Sequence, residues 1–419
     1  MKGPSSWFLG VGMLAFTACC SGDRRSDPVP HPGLPSQGLP AGPTPQGTVG
    51  TRLTPEDLGY VGAFRLPEAF DWGARGLAYH PTQGTLLITG HDQRPAEFAP
   101  VSIPMPVPAR NPSQLPMAQL LAPVRSFDGS LVEGITDTAF TSGIEVVARR
   151  GSQGTDKLYG SIAHWYGVVD ESHPTVWFSE LDGSHPRGPY HVGPRVPAFH
   201  GNQAGGFLFQ VPEDYASKYL GGRTLVTGNT RGAFHGSQGP ALIAFRPFDT
   251  DQPTGDLDAV KMLAYRIKFP ACAGPNVGDP RACDFPGFTM CDTWEGGSFV
   301  TTPSRRAIVL AGRKGLGSNR YGEQTGGCNE SKGYHCDPFE RQLLFYDVDE
   351  LGAVALGQRE PWSVLPYQVW RPQQFLLQGH TCGDVGGMAY DAQSRRLFLI
   401  ERGIGESNGA VVHVWTALR

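Results

Sequence analysis

The sequence predicts an all-β fold, a five-bladed β-propeller, and three observations lead to it. The 419 residues include 56 Gly and 37 Pro, which interrupt the chain too often for long helices. A unit of short apolar strands separated by polar turns recurs along the chain, and glycine stands at the start of the unit. Small antiparallel sheets repeated in tandem bury both faces when they surround an axis as blades.

Each predicted blade contains three readily recognised strands. They are expected at 76–79, 86–91 and 98–103, at 143–147, 157–164 and 175–181, at 205–209, 224–229 and 241–245, at 296–300, 307–313 and 342–348, and at 386–390, 396–402 and 410–415. Outer fourth strands are expected at 191–196, 262–267 and 367–377. The last unit lacks a fourth strand, so residues 60–66 are predicted to supply it and close the ring. A β-sandwich or jelly roll with uneven strands is the structural alternative.

The first residues read as an export signal. Lys2 precedes an apolar run from Trp7 to Phe16, which is too short to span a bilayer. The run closes with Phe16-Thr17-Ala18-Cys19, which resembles a lipobox, and this resemblance implies lipidation of Cys19 after removal of residues 1–18. Cys20, rather than Asp, follows the modified cysteine, which implies anchoring to the outer membrane or cell surface. An ordinary secretory signal is the alternative.

Residues 19–50 are rich in Pro, Gly, Ser and Gln and have too few apolar residues to form a core. We expect them to form a disordered tether, followed by the propeller at 51–419. Lys and Arg total 35 against 39 for Asp and Glu, without charged blocks, which argues against nucleic acid as a partner. The absence of a nucleotide-binding loop, a GxSxG elbow and an HExxH motif gives no reason to expect a cofactor.

Six cysteines lie in the C-terminal half and indicate disulfides in an exported chain. They are Cys272, Cys283, Cys291, Cys328, Cys336 and Cys382. Local loop closure favours only one pairing, Cys328 with Cys336. No CxxC pair or His-x3-His spacing is present, so a zinc site is disfavoured and no metal is assigned.

A resemblance to a protein group rests on the start of the propeller. The segment Tyr60-Val61-Gly62-Ala63-Phe64-Arg65-Leu66-Pro67, with Gly76-Leu77-Ala78-Tyr79 and Gly90-His91-Asp92, is similar to an uncharacterised group of secreted bacterial propeller-like proteins. The resemblance implies the fold and export but lends no catalytic residues.

The candidate ligand site is a ring of polar residues where the second strands end. These residues are His91, His164, Asn229, Arg313 and Arg402, with Asp92 directly after the first. Loops that leave second strands and loops that enter first strands lie on one face of a propeller. We therefore expect the ring to meet Trp72, Gln203, Glu295 and Asp384 around the axis. The structural alternative is that such residues only satisfy backbone groups at strand ends.

Three functions are considered for this face. The first is the binding of a glycan, a peptide or another ligand, without catalysis. The second is glycoside hydrolysis of the five-bladed furanosidase type, which needs a protonated and an ionised carboxyl group. Glu401 is the candidate acid–base residue, because its counterparts in the other units are Gly or Ala, and Glu295, Asp384 and Asp92 are the further acidic candidates. A metal-dependent activity at His91 and His164 ranks third.

Charge balance also predicts an anionic ligand. Arg313 and Arg402 come from adjacent blades, and their two positive charges repel each other. Glu401 supplies only one negative charge to compensate them. A uronate or phosphate would complete the balance. The alternative is that Arg313 pairs with Glu295 and Arg402 with Asp384 as structural contacts between blades.

The lipobox assignment predicts the effect of Cys19→Ser. The thioether is the only anchor in this interpretation, so the variant should lose lipid labelling and be released in soluble form. Labelling with a fatty-acid analogue, followed by fractionation, measures both effects. Labelling that persists in the variant would contradict the assignment.

Overall fold

The computed structural model describes residues 51–127, 131, 139–164, 172–232, 236–274, 276–328, 332–377 and 384–418. The predicted signal peptide, Cys19, the tether and Cys382 lie outside these ranges. Within them, no helix combines the length and the apolar content needed to cross a bilayer.

Five four-stranded antiparallel sheets form the blades, which confirms the predicted propeller. The strands in chain order are β1 (Leu58–Arg65); β2 (Leu77–His80), β3 (Thr85–Thr89), β4 (Glu97–Val101) and β5 (Arg125–Ser126) in blade 1; β6 (Ala139–Val147), β7 (Lys157–His164), β8 (Val176–Glu180) and β9 (Arg187–Tyr190) in blade 2; β10 (Leu208–Gln210), β11 (Leu225–Gly228), β12 (Leu242–Phe245) and β13 (Ala259–Leu263) in blade 3; β14 (Thr293–Thr301), β15 (Arg306–Gly315), β18 (Phe339–Tyr346) and β19 (Gln368–Trp370) in blade 4, with the inserted hairpin β16 (Arg320–Gly322) and β17 (Gly333–His335); and β20 (Asp384–Asp391), β21 (Arg396–Ile404) and β22 (Gly409–Ala417) in blade 5. Two short helices, α1 (Glu213–Tyr219) and α2 (Val348–Ala355), follow β10 and β18.

The ring closes as predicted, with the first strand of the domain completing the last blade. Strand β1 pairs antiparallel with β22, from Leu58 opposite Ala417 to Arg65 opposite Val411. Blade 5 is therefore built from both ends of the domain, and the non-covalent pairing of β1 with β22 closes the ring.

The hydrophobic core consists of separate clusters between neighbouring blades. Blades 1 and 2 share a cluster that contains Leu87 and Ile144, and blades 5 and 1 share one that contains Leu77 and Phe398. Corresponding clusters join blades 2 and 3, blades 3 and 4, and blades 4 and 5. Each sheet thus buries apolar residues on both faces, which is why its strands read as nearly continuous apolar runs.

The glycines at the start of the units reflect crowding of the innermost strands around the axis. A Cβ added to Gly143 on β6 would lie 2.5 Å from the backbone nitrogen of Leu208 in the next blade. A Cβ on Gly387 of β20 would lie 2.5 Å from the backbone nitrogen of Leu77 in blade 1. Inner strands can approach this closely only where no side chain intervenes.

The outer strands differ from the prediction. The outer strand of blade 2 is β9 at Arg187–Tyr190 and not 191–196, since Tyr190 is already paired with Val176 and Pro194 has no N–H to donate. Blade 1 also has an outer strand, β5, for which no segment was predicted. The outer strands of blades 3 and 4 overlap the predicted segments but are shorter.

Disulfides are present, but the one pairing favoured from the sequence is wrong. Cys336 bonds to Cys291 and not to Cys328, and Cys272 bonds to Cys283. Cys328 is also disulfide-bonded. The bond from Cys291 to Cys336 ties the β16–β17 insertion to the loop that enters β14, so it links two long loops that sequence proximity alone could not pair.

Crowding at the axis predicts opposite outcomes for two glycines of blade 2. Gly143→Ala should lower the free energy of unfolding by about 1–3 kcal/mol, because the added methyl group meets the backbone of blade 3. Gly154 lies in the β6–β7 loop, where an added Cβ meets no atom within 4 Å. Gly154→Ala is therefore the matched control and should be neutral or slightly stabilising. Urea unfolding of both variants provides the measurement, and equal stabilities would contradict the crowding explanation.

Candidate functional site

Charged side chains from three blades meet at the end of the axis where the innermost strands begin. Arg75 lies two residues before β2, Asp92 follows β3, Glu295 lies on β14, Asp384 begins β20, and Arg402 lies on β21. We call these five residues the axial cluster. Their convergence follows from propeller topology, because loops that enter first strands and loops that leave second strands share one face.

Arg75 links blade 1 to blade 4 across the axis. Its Nε and Nη2 donate to Oδ1 and Oδ2 of Asp92 at 3.0 and 2.8 Å, a two-pronged contact. Its Nη1 donates to Oε1 of Glu295 at 2.5 Å. Blade 2 contributes the ring of Phe140, whose centroid lies 4.8 Å from the Arg75 guanidinium carbon.

Arg402 adds blade 5 to the same network. Its Nη1 donates to Oε2 of Glu295 at 3.0 Å, and its Nη2 donates to Oδ2 of Asp92 at 2.9 Å. Its Nε donates to the backbone oxygen of Gly73 at 2.6 Å. A longer contact of 3.6 Å joins Nη1 to Oδ2 of Asp384. Both oxygens of Glu295 are therefore held by guanidinium groups, and the two arginines bind the same two carboxylates.

The two buried acids of the cluster differ in electrostatics. Burial raises the pKa of Glu295 above its usual range, although Arg75 and Arg402 act in the opposite direction. Burial also acts on Asp384, but the guanidinium groups of Arg313, Arg402 and Arg75 outweigh it and hold its pKa below the usual range. Asp384 is thus ionised at neutral pH, and its side chain retains 24% of its exposure.

Arg313 lies beside the cluster without joining the network. Its guanidinium carbon is 4.3 Å from the ring centroid of Phe339. In the part of the chain that the structure describes, Arg313 forms no ion pair within 4 Å, and its buried Nε has no hydrogen-bond partner. The anticipated structural pair of Arg313 with Glu295 is not formed, since Arg75 and Arg402 hold that carboxylate.

Glu401 is not where the sequence analysis expected it. Successive residues of a strand point to opposite faces of the sheet. Arg402 therefore points toward the axial cluster, and Glu401 points to the opposite face of its sheet. The Glu401 side chain has no exposed surface, and its Oε2 lies 2.8 Å from Nε2 of His413 and 2.7 Å from the backbone nitrogen of Leu377. Tyr60 extends this network, with its hydroxyl 3.0 Å from Nδ1 of His413. Of the four acidic candidates, only Asp92, Glu295 and Asp384 come together.

His91 and Asn229 make local contacts at strand ends. His91 accepts a hydrogen bond from the backbone nitrogen of Gln93 at 3.0 Å. The Asn229 amide donates to the backbone oxygens of Arg231 and Gly239 and accepts from the nitrogen of Ala241. Both residues fit the structural alternative considered for the ring.

His164 lies apart from the axial cluster, between blades 2 and 3. Burial, with a smaller contribution from His173, lowers its pKa to about 4, so it is neutral at pH 7. The two rings meet edge to face at 5.0 Å between centroids. Both line a cavity of about 20 Å³, room for one water molecule. The described residues contain no group of three or more His, Cys, Asp or Glu side chains that could hold a metal ion.

Two residues of this face, Arg75 and Trp72, have a larger role in the site than the sequence indicated. Arg75 was not a candidate, although it precedes Gly76 just as Glu295 precedes Gly296, and this shared slot is the signal that would have identified it. Trp72, expected on the rim, is 57% exposed and has a left-handed backbone with φ of 58°. Its backbone oxygen accepts from the nitrogen of Asp92 at 3.0 Å, which holds the Trp72 backbone beside a residue of the cluster.

Comparison with known proteins yields likenesses of fold. No protein family and no curated protein matches the sequence. Among solved structures, the chain is similar to exo-inulinase from Aspergillus awamori, with 12% identity, a TM-score of 0.39 and coverage of 87% of this chain. The chain spans 62% of the inulinase structure. It is also similar to a DUF4221 family member from Bacteroides vulgatus, with 9% identity, a TM-score of 0.31 and coverage of 86% of this chain and 97% of that one.

The axial cluster predicts a large loss of stability for Arg402→Ala. The change leaves a buried carboxylate of Glu295 with one partner fewer, and breaking a buried ion pair costs about 3–5 kcal/mol. Arg94, 59% exposed and paired with Glu97 near the same face, provides the control, and Arg94→Ala should cost less than about 1 kcal/mol. Urea unfolding measures both, and equal small losses would show that the cluster does not hold the blades together.

Proposed function

We propose that this chain is an exported, lipid-anchored β-propeller that binds an acidic glycan beside the axial cluster. The observation that carries the proposal is Arg313, a cation on this face that lacks an acceptor among the described residues. Export and anchoring through Cys19 rest on the sequence alone.

The surroundings of Arg313 support a ligand contact. A buried guanidinium N–H without an acceptor costs free energy, and a bound carboxylate would remove that cost with a charge-assisted hydrogen bond. The ring of Phe339 covers one face of the guanidinium and restricts its orientation. Asp384, ionised and partly exposed, can accept hydrogen bonds from ligand hydroxyl groups. A uronate sugar carries both the carboxylate and the hydroxyl groups that this pair would bind.

Only one of the two arginines expected to require an anionic ligand does so. Arg402 already meets Asp92, Glu295 and Asp384, so it needs no ligand to balance it. It links neighbouring blades through ion pairs, in agreement with the alternative that Arg402 and Asp384 form a structural contact. Arg313 alone therefore supports the acidic ligand.

Trp72 supports a sugar rather than a bare anion. An exposed indole next to polar groups is a surface on which the apolar face of a sugar ring packs. The left-handed backbone of a non-glycine residue costs about 1–2 kcal/mol, and strain of this kind concentrates at functional sites. Gly73, which follows, forms a β-bridge with His91 of blade 1, and a Cβ at this position would lie only 2.0 Å from the oxygen of Gly90, so the loop is held against blade 1.

A glycoside hydrolase is the second candidate, favoured by the convergence of Asp92, Glu295 and Asp384. The opposite pKa shifts of Glu295 and Asp384 are the arrangement that separates an acid from a base. Against this, both oxygens of Glu295 are engaged by arginines. Glu401 has no exposed surface with which to meet a substrate. Binding is therefore the better supported function.

The proposal predicts that Arg313→Ala weakens the binding of uronate-containing oligosaccharides by about 1.5–3 kcal/mol. Calorimetry should show this loss for the uronates, and little change for the neutral counterparts that carry a hydroxymethyl group in place of the carboxylate. Trp72→Ala should weaken both classes of ligand. Arg320→Ala, on the exposed hairpin of the same blade, is the control for charge and should bind like the wild type.

Two results would overturn the proposal. One is equal affinity of the wild type for the uronates and their neutral counterparts. The other is unchanged uronate affinity in Arg313→Ala. Product release from these oligosaccharides, lost in Asp384→Asn while binding remains, would instead establish the hydrolase.

A further inference from the structure

A second cavity lies at the opposite end of the axis, where the innermost strands end. It has a volume of about 430 Å³, within the range of small-molecule sites. Each innermost strand contributes to it, and the residues that carry the argument are Tyr79, Glu145, Gln210, Phe299, Tyr390 and Asp391. The axial cluster stands at the beginning of the same strands, so the two sites are at opposite ends.

The lining is acidic and aromatic. It contains the carboxyl groups of Glu145 and Asp391 and the rings of Tyr79, Phe209, Phe299 and Tyr390. Among the described residues that line the cavity, none is Lys, Arg or His. Carboxyl groups combined with aromatic faces are the surroundings that stabilise an organic cation, especially a quaternary ammonium group.

Glu145 is the acidic group best placed to respond to a ligand. Its side chain is held by Gln210, whose amide nitrogen donates to Oε1 at 3.0 Å and to the backbone oxygen of Val146 at 2.9 Å. Burial raises the pKa of Glu145 to about 8, and only hydrogen bonds from Gln210 and Val146 oppose the shift. No charged side chain among the described residues compensates this carboxyl group, so a cation in the cavity would be its counterion.

The other titratable groups near Glu145 do not supply that charge. On the strands packed against β6 and around the cavity they are Tyr79 and His80 on β2, Lys157 and Tyr159 on β7, Tyr390 and Asp391 on β20, and Arg395 and Arg396 where β21 begins. Burial raises the pKa values of Tyr390 and Tyr79, the two arginines respectively oppose this rise, and neither acts on the pKa of Glu145. Lys157 pairs with Glu180 and Asp251. Burial lowers the pKa of His80, which favours its neutral form. Asp391 accepts from the backbone nitrogen of Gln393 and from the hydroxyl of Ser394 within its own turn.

We propose that this cavity, lined by Glu145, Asp391 and the rings of Tyr79 and Tyr390, binds a small organic cation of the quaternary ammonium class. The ligand lies against the tyrosine rings, and its charge is balanced by Glu145. Binding selects the ionised carboxylate, so one proton leaves Glu145 as the cation enters. The site is independent of the glycan site proposed for the other end of the axis.

Choline and its neutral isostere 3,3-dimethyl-1-butanol provide the test. Calorimetry should give at least tenfold tighter binding of choline at pH 8.5, because the two molecules differ only in charge. Choline keeps its charge at every pH, so any pH dependence belongs to the protein. Its affinity should rise about tenfold from pH 6 to 7 and level off above pH 8, because the competent fraction is the ionised one.

Glu145→Gln should lose this pH dependence and bind choline at least tenfold more weakly at pH 8.5. Glu406→Gln, in the exposed loop between β21 and β22, removes a carboxyl group that does not line the cavity and should leave both properties unchanged. Arg313→Ala should also bind choline normally, which separates this test from that of the glycan site.

Equal affinities of the wild type for choline and the isostere would overturn the proposal, as would an unchanged pH dependence in Glu145→Gln. The comparison of the two ligands on the wild-type protein decides the matter even if the variant does not fold.

Discussion

The structure depends on closure of the ring by β1. Each blade is stable because it is buried between two neighbours, and blade 5 has its fourth strand only when residues Leu58–Arg65 pair with β22. That pairing brings blade 5 against blade 1, and the apolar cluster between them contains Phe64 of β1 together with Leu77 and Phe398. Arg402 makes a second, polar closure between the same blades at the axis, through Gly73 and Asp92. Apolar contacts at the outside of the ring and ion pairs at the axis thus hold blade 5 against blade 1.

A five-membered ring leaves little room at its axis, and this constraint shapes both of its ends. Glycine at positions such as Gly143 and Gly387 lets neighbouring inner strands approach to backbone contact. Where these strands begin, long side chains reach across the axis, and Arg75 of blade 1 contacts Glu295 of blade 4 directly. Such buried ionic contacts are specific in geometry rather than large in net stability, because desolvation offsets most of the Coulomb energy. The centre of this face is therefore filled by protein, and the ligand contacts that we propose are made by residues around it, Arg313 and Trp72.

The sequence was sufficient for the fold because blade strands are buried on both faces and are bounded by glycine-rich turns, a pattern that repeats. It was less informative about the site, for two physical reasons. Polar residues that follow strands also satisfy backbone groups, and Asn229 does only this in the described structure. The direction of a side chain also changes with every residue along a strand, so that Glu401 and its neighbour Arg402 have opposite environments. A bulge in β20 between Val385 and Met388 further shifts the register of this pair of strands, which periodicity alone does not locate.

The two ends of the axis differ most in how their acids are compensated. Asp92, Glu295 and Asp384 face guanidinium groups, so this end is close to neutral and retains one unpaired cation, Arg313, among the described residues. Within the described ranges, the partners of Glu145 are amide and backbone donors, and burial is tolerated because the carboxyl group keeps its proton. Protonation thus takes the place of an ion pair at that end. Burying a neutral carboxyl group beside a cavity costs less free energy than burying an unpaired carboxylate. In the binding that we propose, this carboxyl group ionises when a cation enters the cavity. The same narrow ring accordingly presents a fixed positive group at one end and a titratable negative group at the other.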